Sequence, residues 1–355
     1  MKGISVILCC YNSAQRLPVT LRFVAQQEVP RNIPWEVIVV NNRSTDDTAK
    51  VAKTEWEKHS CDVPFKVADQ PVPGLSAARE KGMEVSSFEY LVFCDDDNWL
   101  DENYLRNAFI TMETHPDVGI AGGQSTGFFE IPKPFWFDSV SPSYVVEKVL
   151  PVSGYLPPRR EYLAGAGMVV RRELINDMKA VRFKSILTGR MGTSLTSGED
   201  YEFCLVAGYL GYRIYYDEQL SLIHLMTRER LSWEYFIRMT TKGHAIPEVI
   251  YSLYRVGRHA GSSKNRRRFH RIYFEMVKHS LNTMIYFEVN RKNSLRFFFR
   301  HLHLFFRLVP GSLLQKHYLS YGNRLVFLLR NFTLLNKHYD SILALFDRIA
   351  LEKNV

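Results

Sequence analysis

An α/β fold built on a mostly parallel, doubly wound sheet, with a helical C-terminal extension, is what this 355-residue sequence predicts. Three observations predict it. Short apolar runs alternate with helical-period segments from the N-terminus onward, polar residues gather where those runs end, and after about residue 245 the composition turns basic and helical. Strands and helices that alternate through short connections give parallel strands with crossover helices. Such sheets bind ligands at the carboxyl ends of their strands.

Residues 4 to 10 form a near-continuous apolar run ending at Tyr11-Asn12, and Leu17, Leu21, Val24 and Ala25 then share one helical face. Glu36 to Val40 repeats the strand pattern. It passes through Asn41-Asn42-Arg43-Ser44 into a helix expected from about Thr45, in which Ser44 and Asp47 have capping-box spacing. A third cycle has Phe65-Lys66-Val67 as strand, a turn at Pro73-Gly74 and a helix through Ala77, Ala78 and Met83. Tyr90 to Cys94 is a fourth apolar strand that runs directly into Asp95-Asp96-Asp97. Residues 128 to 160, rich in Pro and aromatics, read as an irregular excursion over the strand ends. We place a boundary near 245, giving an α/β domain over 1–245 and a helical region over 246–355.

Hydrophobic residues make up 46% and charged residues 23%, which excludes a disordered, collagenous or disulfide-stapled chain. Five cysteines, an odd number without metal-type spacing, read as buried thiols in a reducing compartment. No apolar run has the length of a membrane span, and Met1-Lys2-Gly3 followed by Ile4 to Leu8 lacks the layout of a signal peptide, so a cytoplasmic location is expected. The net charge of +9 is local: residues 251 to 310 hold 13 Lys/Arg against Glu275 and Glu288. Tyr273, Phe274, Phe297 to Phe299, Phe305 and Phe306 interleave with that charge, a composition suited to amphipathic helices on an anionic membrane surface. A basic helical subdomain packed on the rest of the chain is the plainer reading. No nucleic-acid module accompanies the patch, and no nucleic-acid partner is expected.

The most specific local signal is Asp95-Asp96-Asp97. In an extended segment Asp95 and Asp97 point to the same side. Three adjacent carboxylates repel one another, and a hard divalent cation, Mg²⁺ or Mn²⁺, would relieve that repulsion. A solvated acidic turn, or Asp97 capping a helix that begins near Leu100, would also account for them. A second signal is Gly198-Glu199-Asp200, where Asp200 opens a helix and could accept a proton from a hydroxyl in the cleft, although acids in a first turn are ordinary capping residues. His224 follows the apolar stretch Leu220 to Ile223; taken alone it has the setting of a core histidine.

These blocks together resemble the family 2 glycosyltransferases, which have the nucleotide-sugar-binding GT-A fold. Ser5 to Asn12 resembles the opening nucleotide strand, Val37 to Thr48 the second, and Gly74-Leu75-Ser76-Ala77-Ala78-Arg79 the third block. Asp95-Asp96-Asp97 resembles the metal signature, Ala164-Gly165-Ala166-Gly167-Met168 the strand supporting the acceptor site, and Gly198-Glu199-Asp200 the catalytic-base signature. The resemblance covers roughly residues 3 to 240.

It implies inverting transfer of a sugar from a nucleotide-diphosphate donor, with a UDP-sugar expected, to a saccharide or lipid-linked acceptor in surface glycan assembly. Tyr11 would pack against the base and Asn41 would hydrogen-bond it, where relatives commonly have Asp. Arg79 would lie near the diphosphate. Asp95 and Asp96 would contribute to nucleotide binding, Asp97 and His224 to the metal, Trp99 and Glu199 to the sugar or acceptor wall. Asp200 would be the base, and the Gly-containing loop from Ser185 to Ser197 a lid. The C-terminal region would hold the enzyme peripherally on the inner membrane face. Two other readings remain at this point: a metal-dependent nucleotidyltransferase, which would carry a Gly-rich loop where Tyr11 to Arg16 stands, and a non-catalytic membrane-associated partner protein that retains the fold.

Overall fold

Seven consecutive residues from Ile4 to Cys10, all buried except the half-buried Cys9, form the central strand β1 of the computed structural model. The structure describes residues 1–258 except 60, 159, 161, 192–196 and 241–244, and then residues 273–274, 277–278, 328 and 332–352. After β1 come α1 (Leu17–Ala25), β2 (Trp35–Asn41), α2 (Thr48–Lys58), β3 (Phe65–Asp69), α3 (Leu75–Val85) and β4 (Tyr90–Asp95). The apolar runs become strands because both faces of the sheet are covered. Val6, Leu8, Val37, Val39 and Val92 join Leu17, Leu21 and Val24 of α1 in one buried cluster.

The second half of the sheet is mixed. It contains β5 (Asn98–Leu100), α4 (Tyr104–Thr114), β6 (Val118–Phe129), β7 (Gly154–Tyr155), β8 (Val169–Arg171), α5 (Arg172–Ala180), α6 (Glu199–Leu210) and β9 (Arg213–Met226). Strand order is β3-β2-β1-β4-β8-β6-β9-β5, with β7 beside β9. The β1, β2, β3 and β4 pairings are parallel, and β8 runs antiparallel to both β4 and β6. Because β2 and β4 flank β1 on opposite sides, the chain leaves β1 at a topological switch point, where a crevice opens. Among the described residues, the excursion over 128–160 contains, after the end of β6, two short 3₁₀ turns, Phe137–Ser139 and Ser141–Tyr144, and β7.

Three local expectations are corrected. Helix α2 starts at Thr48, because Asp46 Oδ1 accepts the Thr48 N–H at 3.1 Å in a tight side-chain turn, while the Ser44 hydroxyl accepts the distant Asn12 N–H at 3.1 Å instead of capping. No helix begins near Leu100: residues 98–100 pair antiparallel with Leu222–His224, α4 starts at Tyr104, and Asp97 caps nothing. Residues 164–168 form a turn rather than a strand; Gly167 has φ +73°, and a Cβ there would stand 2.5 Å from the Tyr104 hydroxyl.

The chain divides into two units, Met1–Thr193 with Glu199–Ser232, and Ser194–Gly198 with Trp233–Val355. The second contains α7 (Trp233–Arg238), α8 (Ala245–Arg258) and α9 (Phe332–Glu352). Helices α8 and α9 pack together, burying Val249, Leu253 and Tyr254 on one and Leu335, Tyr339 and Ile342 on the other. Among the described residues no helix is long and apolar enough to cross a membrane. Most of the basic stretch 251–310, on which the membrane expectation rests, lies outside the described residues.

Candidate active site

Register places the ends of four parallel strands side by side: Cys10 pairs with Asn41, Asn41 with Asp69, and Cys9 with Asp95. Tyr11, the next residue along β1, is 44% exposed and open to a flat ligand. The Asn41 amide donates to Asp69 Oδ1 at 2.9 Å, and its oxygen accepts the Ser44 N–H at 3.3 Å. The loops after β1 and β2 are tied together, since Asn12 Oδ1 accepts the Thr45 N–H at 2.8 Å and Asp46 Oδ2 accepts that of Ala14 at 3.1 Å. Asn42, which has no periodicity or charge to mark it in the sequence, is buried. Its amide donates to the Gln70 and Val72 carbonyls and its oxygen accepts the Gly74 N–H, fixing the entry to α3. A solvent-open concavity of about 580 Å³ between these loops has Asn12, Arg16, Thr45 and Asp46 in its wall. Its wall includes none of Asp95, Asp97 and Asp200, so its size does not mark the acidic cluster.

At the tip of β4 the three acids have different partners. Asp96 pairs with Arg16 at 2.7 Å, and its main-chain oxygen accepts from the Thr20 hydroxyl at 2.8 Å. Asp97 Oδ2 is 2.9 Å from Arg230 Nη1, Asp97 Oδ1 is 3.6 Å from His224 Nε2, and the Asn98 amide donates to Oδ1 at 3.2 Å. Strand β9 delivers the histidine: His224 pairs with Asn98 in the β5–β9 register, and the Leu225 N–H donates to the Asp97 carbonyl at 2.9 Å. Burial raises the carboxyl pKa of Asp95 against the pull of Arg79, and it raises that of Asp96 with Asp97 adding repulsion. Burial works the same way on Asp97, but the attraction of nearby cations, Arg230 first, outweighs it and holds this carboxyl well below the ordinary range. Of the three, Asp97 is the carboxyl whose charged form its surroundings favour most.

Arg79, on the second turn of α3, joins this cluster to α6. Its Nη1 is 3.2 Å from Glu199 Oε1, its guanidinium lies over the Phe93 ring at 5.4 Å, and it faces Asp95 and Asp200 electrostatically. Burial raises the Glu199 carboxyl to about 7, with Asp200 adding repulsion and Arg79 opposing. Asp200 Oδ2 accepts the Gly165 N–H at 2.9 Å and Oδ1 that of Tyr201 at 2.8 Å, which orients the carboxylate and leaves its other lone pairs available. A Cβ at Gly165 would lie 2.3 Å from Arg79 Nη2, so a larger residue there would displace the guanidinium. Asp95, Arg79, Glu199 and Asp200 thus form one connected group beside Asp97 and His224.

Glu202, fully buried, has no signal in the sequence beyond a first-turn acid. Its carboxylate accepts the Ile186 and Leu187 N–H groups at 2.9 and 3.0 Å. It anchors the loop whose Thr188 and Arg190 carbonyls accept from the first N–H groups of α3, at Ser76 and Leu75. The middle of the expected lid, 192–196, lies outside the described residues. Trp99 stacks on Phe23 with ring centroids 5.4 Å apart and also meets Phe128, so it packs between α1 and β6. The five cysteines are free; Cys10, Cys94 and Cys204 are buried, and Cys9 and Cys61 are half-buried.

Residues 5–168 match the family described as Glycosyl transferase family 2. Over that segment the chain is similar to this family. The match ends before Glu199, Asp200 and His224. Poly-beta-1,6-N-acetyl-D-glucosamine synthase of Staphylococcus epidermidis is 29% identical over 124 residues, 35% of this chain and 28% of its own length. Glycosyltransferase GlyA of Streptococcus pneumoniae is 32% identical over 146 residues, 41% of this chain and 20% of its own length. The aligned stretches thus span under a third of these relatives. A mannosyltransferase from Pyrobaculum calidifontis, solved with GDP-Man and Mn²⁺, superposes with a TM-score of 0.55 at 16% identity, covering 92% of this chain and 86% of that one. The fold is GT-A, a mixed, mostly parallel sheet with helices, and further helices follow in the C-terminal region.

Proposed function

We propose that this protein is an inverting glycosyltransferase that moves a sugar from a nucleotide-diphosphate donor to an acceptor hydroxyl. The observation that carries the reading is the position of Arg79, a buried cation between the β4 acids and the Glu199-Asp200 pair. A donor whose diphosphate lay toward Asp95 and Asp97 would present its sugar toward Asp200.

Tyr11 would stack on the base, with the Asn41–Asp69 pair at its edge. Asp95 would receive the ribose, and Asp96, already paired with Arg16, would hold the tip of β4 in place. As the anomeric bond breaks, the Arg79 guanidinium faces the charge that develops on the leaving diphosphate. Asp200, oriented by two backbone N–H groups, takes the proton of the acceptor hydroxyl as it attacks from the opposite face of the sugar, which inverts the anomeric centre. Glu199 would keep Arg79 aligned and border the acceptor. The loop anchored by Glu202 would limit water above α3.

A divalent cation fits this donor set. Two buried ligands of the hard carboxylate and imidazole types, Asp97 and His224, converge, and His224 Nε2 presents a lone pair because the group beside it is a guanidinium that can only donate. No group of three or more His, Cys, Asp or Glu is arranged to hold a metal among the described residues, so the remaining positions would fall to phosphate oxygens and water. When bound, Mg²⁺ or Mn²⁺ supplies Lewis-acid stabilisation of the departing diphosphate.

A UDP-sugar donor and a saccharide acceptor complete the reading, the acceptor being lipid-linked if the basic stretch 251–310 holds the chain peripherally at the inner membrane face. The test is Asp200→Asn, which keeps an oxygen for the Gly165 N–H but removes the base. Transfer should fall at least about a hundredfold while donor affinity by calorimetry is unchanged. Wild-type turnover in that variant would refute the assignment.

A further inference from the structure

The cation held by Asp97 and His224 in this structure is the protein's own. Arg230 lies in the turn after β9, and a single nitrogen, Nη1, stands 2.9 Å from Asp97 Oδ2 and 2.8 Å from His224 Nε2. The carboxylate and the imidazole are themselves 3.6 Å apart. Adjacent ligands of an octahedral ion with bonds of roughly 2.1 Å stand about 3.0 Å apart, so a small inward movement of the two side chains would bring both onto one ion. The side chains of Asp97, His224 and Arg230 are 12%, 8% and 17% exposed, so little water screens them. Arg230 Nη1 is therefore bonded to the Nε2 lone pair and the carboxylate that the proposed function gives to the metal.

Two cations cannot share that position. A divalent ion bound to Asp97 and His224 would sit against the guanidinium in a poorly screened site, and mutual repulsion would expel one of them. A guanidinium that leaves a carboxylate needs another planar anion, and a diphosphate offers oxygens in the matching fork geometry. We propose that Arg230 and a divalent cation are alternative occupants of the Asp97–His224 site, exchanged when the donor's diphosphate draws the guanidinium away as the metal enters. Before the donor arrives, Arg230 neutralises Asp97. Metal and nucleotide then bind interdependently, and the metal is released again when the diphosphate leaves. This rests on the metal-site reading above and adds to it the residue that controls occupancy.

The test uses the full chain and follows free Mn²⁺ by electron paramagnetic resonance, with and without UDP or GDP, so that the readout is metal affinity and not turnover. Wild type should bind Mn²⁺ weakly alone and at least tenfold more tightly with the nucleotide. Arg230→Ala should bind Mn²⁺ alone at least tenfold more tightly than wild type, and the nucleotide's enhancement should shrink. Arg230→Gln, which keeps much of the side chain's volume and its amide donors but not its charge, should show the same gain and serves if the alanine variant folds poorly. Asp97→Ala should abolish tight binding throughout. If neither Arg230 variant gains affinity while Asp97→Ala still abolishes binding, the exchange is wrong and the metal site stands. If Asp97→Ala leaves Mn²⁺ binding intact, the metal reading fails and the exchange fails with it.

Discussion

Replacing Glu199 by Gln should change how stability depends on pH, and the size of the change follows from where the side chain sits. Glu199 is 9% exposed, with Arg79 at 3.2 Å and Asp200 as its neighbour. Burial and Asp200 disfavour its charged form more than Arg79 favours it, so its carboxyl moves from an ordinary 4.5 to about 7. A raised carboxyl means that the folded chain binds a proton that the unfolded chain releases between those two values. The associated stability is fully present below pH 4.5 and is lost as pH rises to about 7. At about 1.4 kcal/mol per pH unit, that interval corresponds to about 3 kcal/mol. Gln cannot titrate. The stability difference between wild type and Glu199→Gln should therefore shift by about 3 kcal/mol in the variant's favour across the same interval, whatever constant offset comes from giving Arg79 a neutral partner. Urea unfolding at a series of pH values measures this difference. Curves that stay parallel within about 0.5 kcal/mol from pH 4.5 to 7 would show that Glu199 titrates normally and that its burial beside Arg79 is misread.

The strand-end and C-terminal readings give two more predictions. Asn41→Asp would set a second carboxylate where the amide now donates to Asp69 at 2.9 Å, so stability should fall by up to about 1 kcal/mol at low ionic strength and recover with added salt. A thermal melt that does not respond to salt would mean that the two side chains are not in contact. For the basic stretch 251–310, the full-length chain should co-sediment with vesicles containing anionic lipid and be released by salt, and should bind neutral vesicles much less. Equal binding to both vesicle types, or none to either, would remove the membrane part of the proposed function.

The parallel half of the sheet was legible because its information is local. Ile4 to Cys10, Trp35 to Asn41 and Tyr90 to Asp95 are apolar runs with polar ends, and hydrophobic burial on both faces is sufficient to make strands of them. The same pattern put Asn41 and Asp95 to Asp97 at the sheet edge. Ser44 and Asp97 failed as cap residues for the opposite reason: each had a local role by spacing but took a partner from far along the chain, Asn12 in one case and His224 with Arg230 in the other. Spacing rules count neighbours within a turn and cannot weigh a contact across strands.

Arg230 is the strongest instance of this limit. In the sequence it stands with Arg228 and Glu229, a mixed-charge turn after a strand that reads as a solvated loop. Only the antiparallel pairing of β5 with β9 brings the end of β9 against the tip of β4, and that pairing depends on a three-residue strand, Asn98–Leu100, read from the sequence as the start of a helix. Once β5 exists, His224 lies opposite Asn98 and the next turn carries Arg230 over Asp97. The ionised state of Asp97 then follows from Coulomb attraction among groups more than a hundred residues apart. The acids alone, read as a signature, indicate that a cation belongs there. That Arg230 stands against Asp97 and His224 follows from the register of β5 on β9.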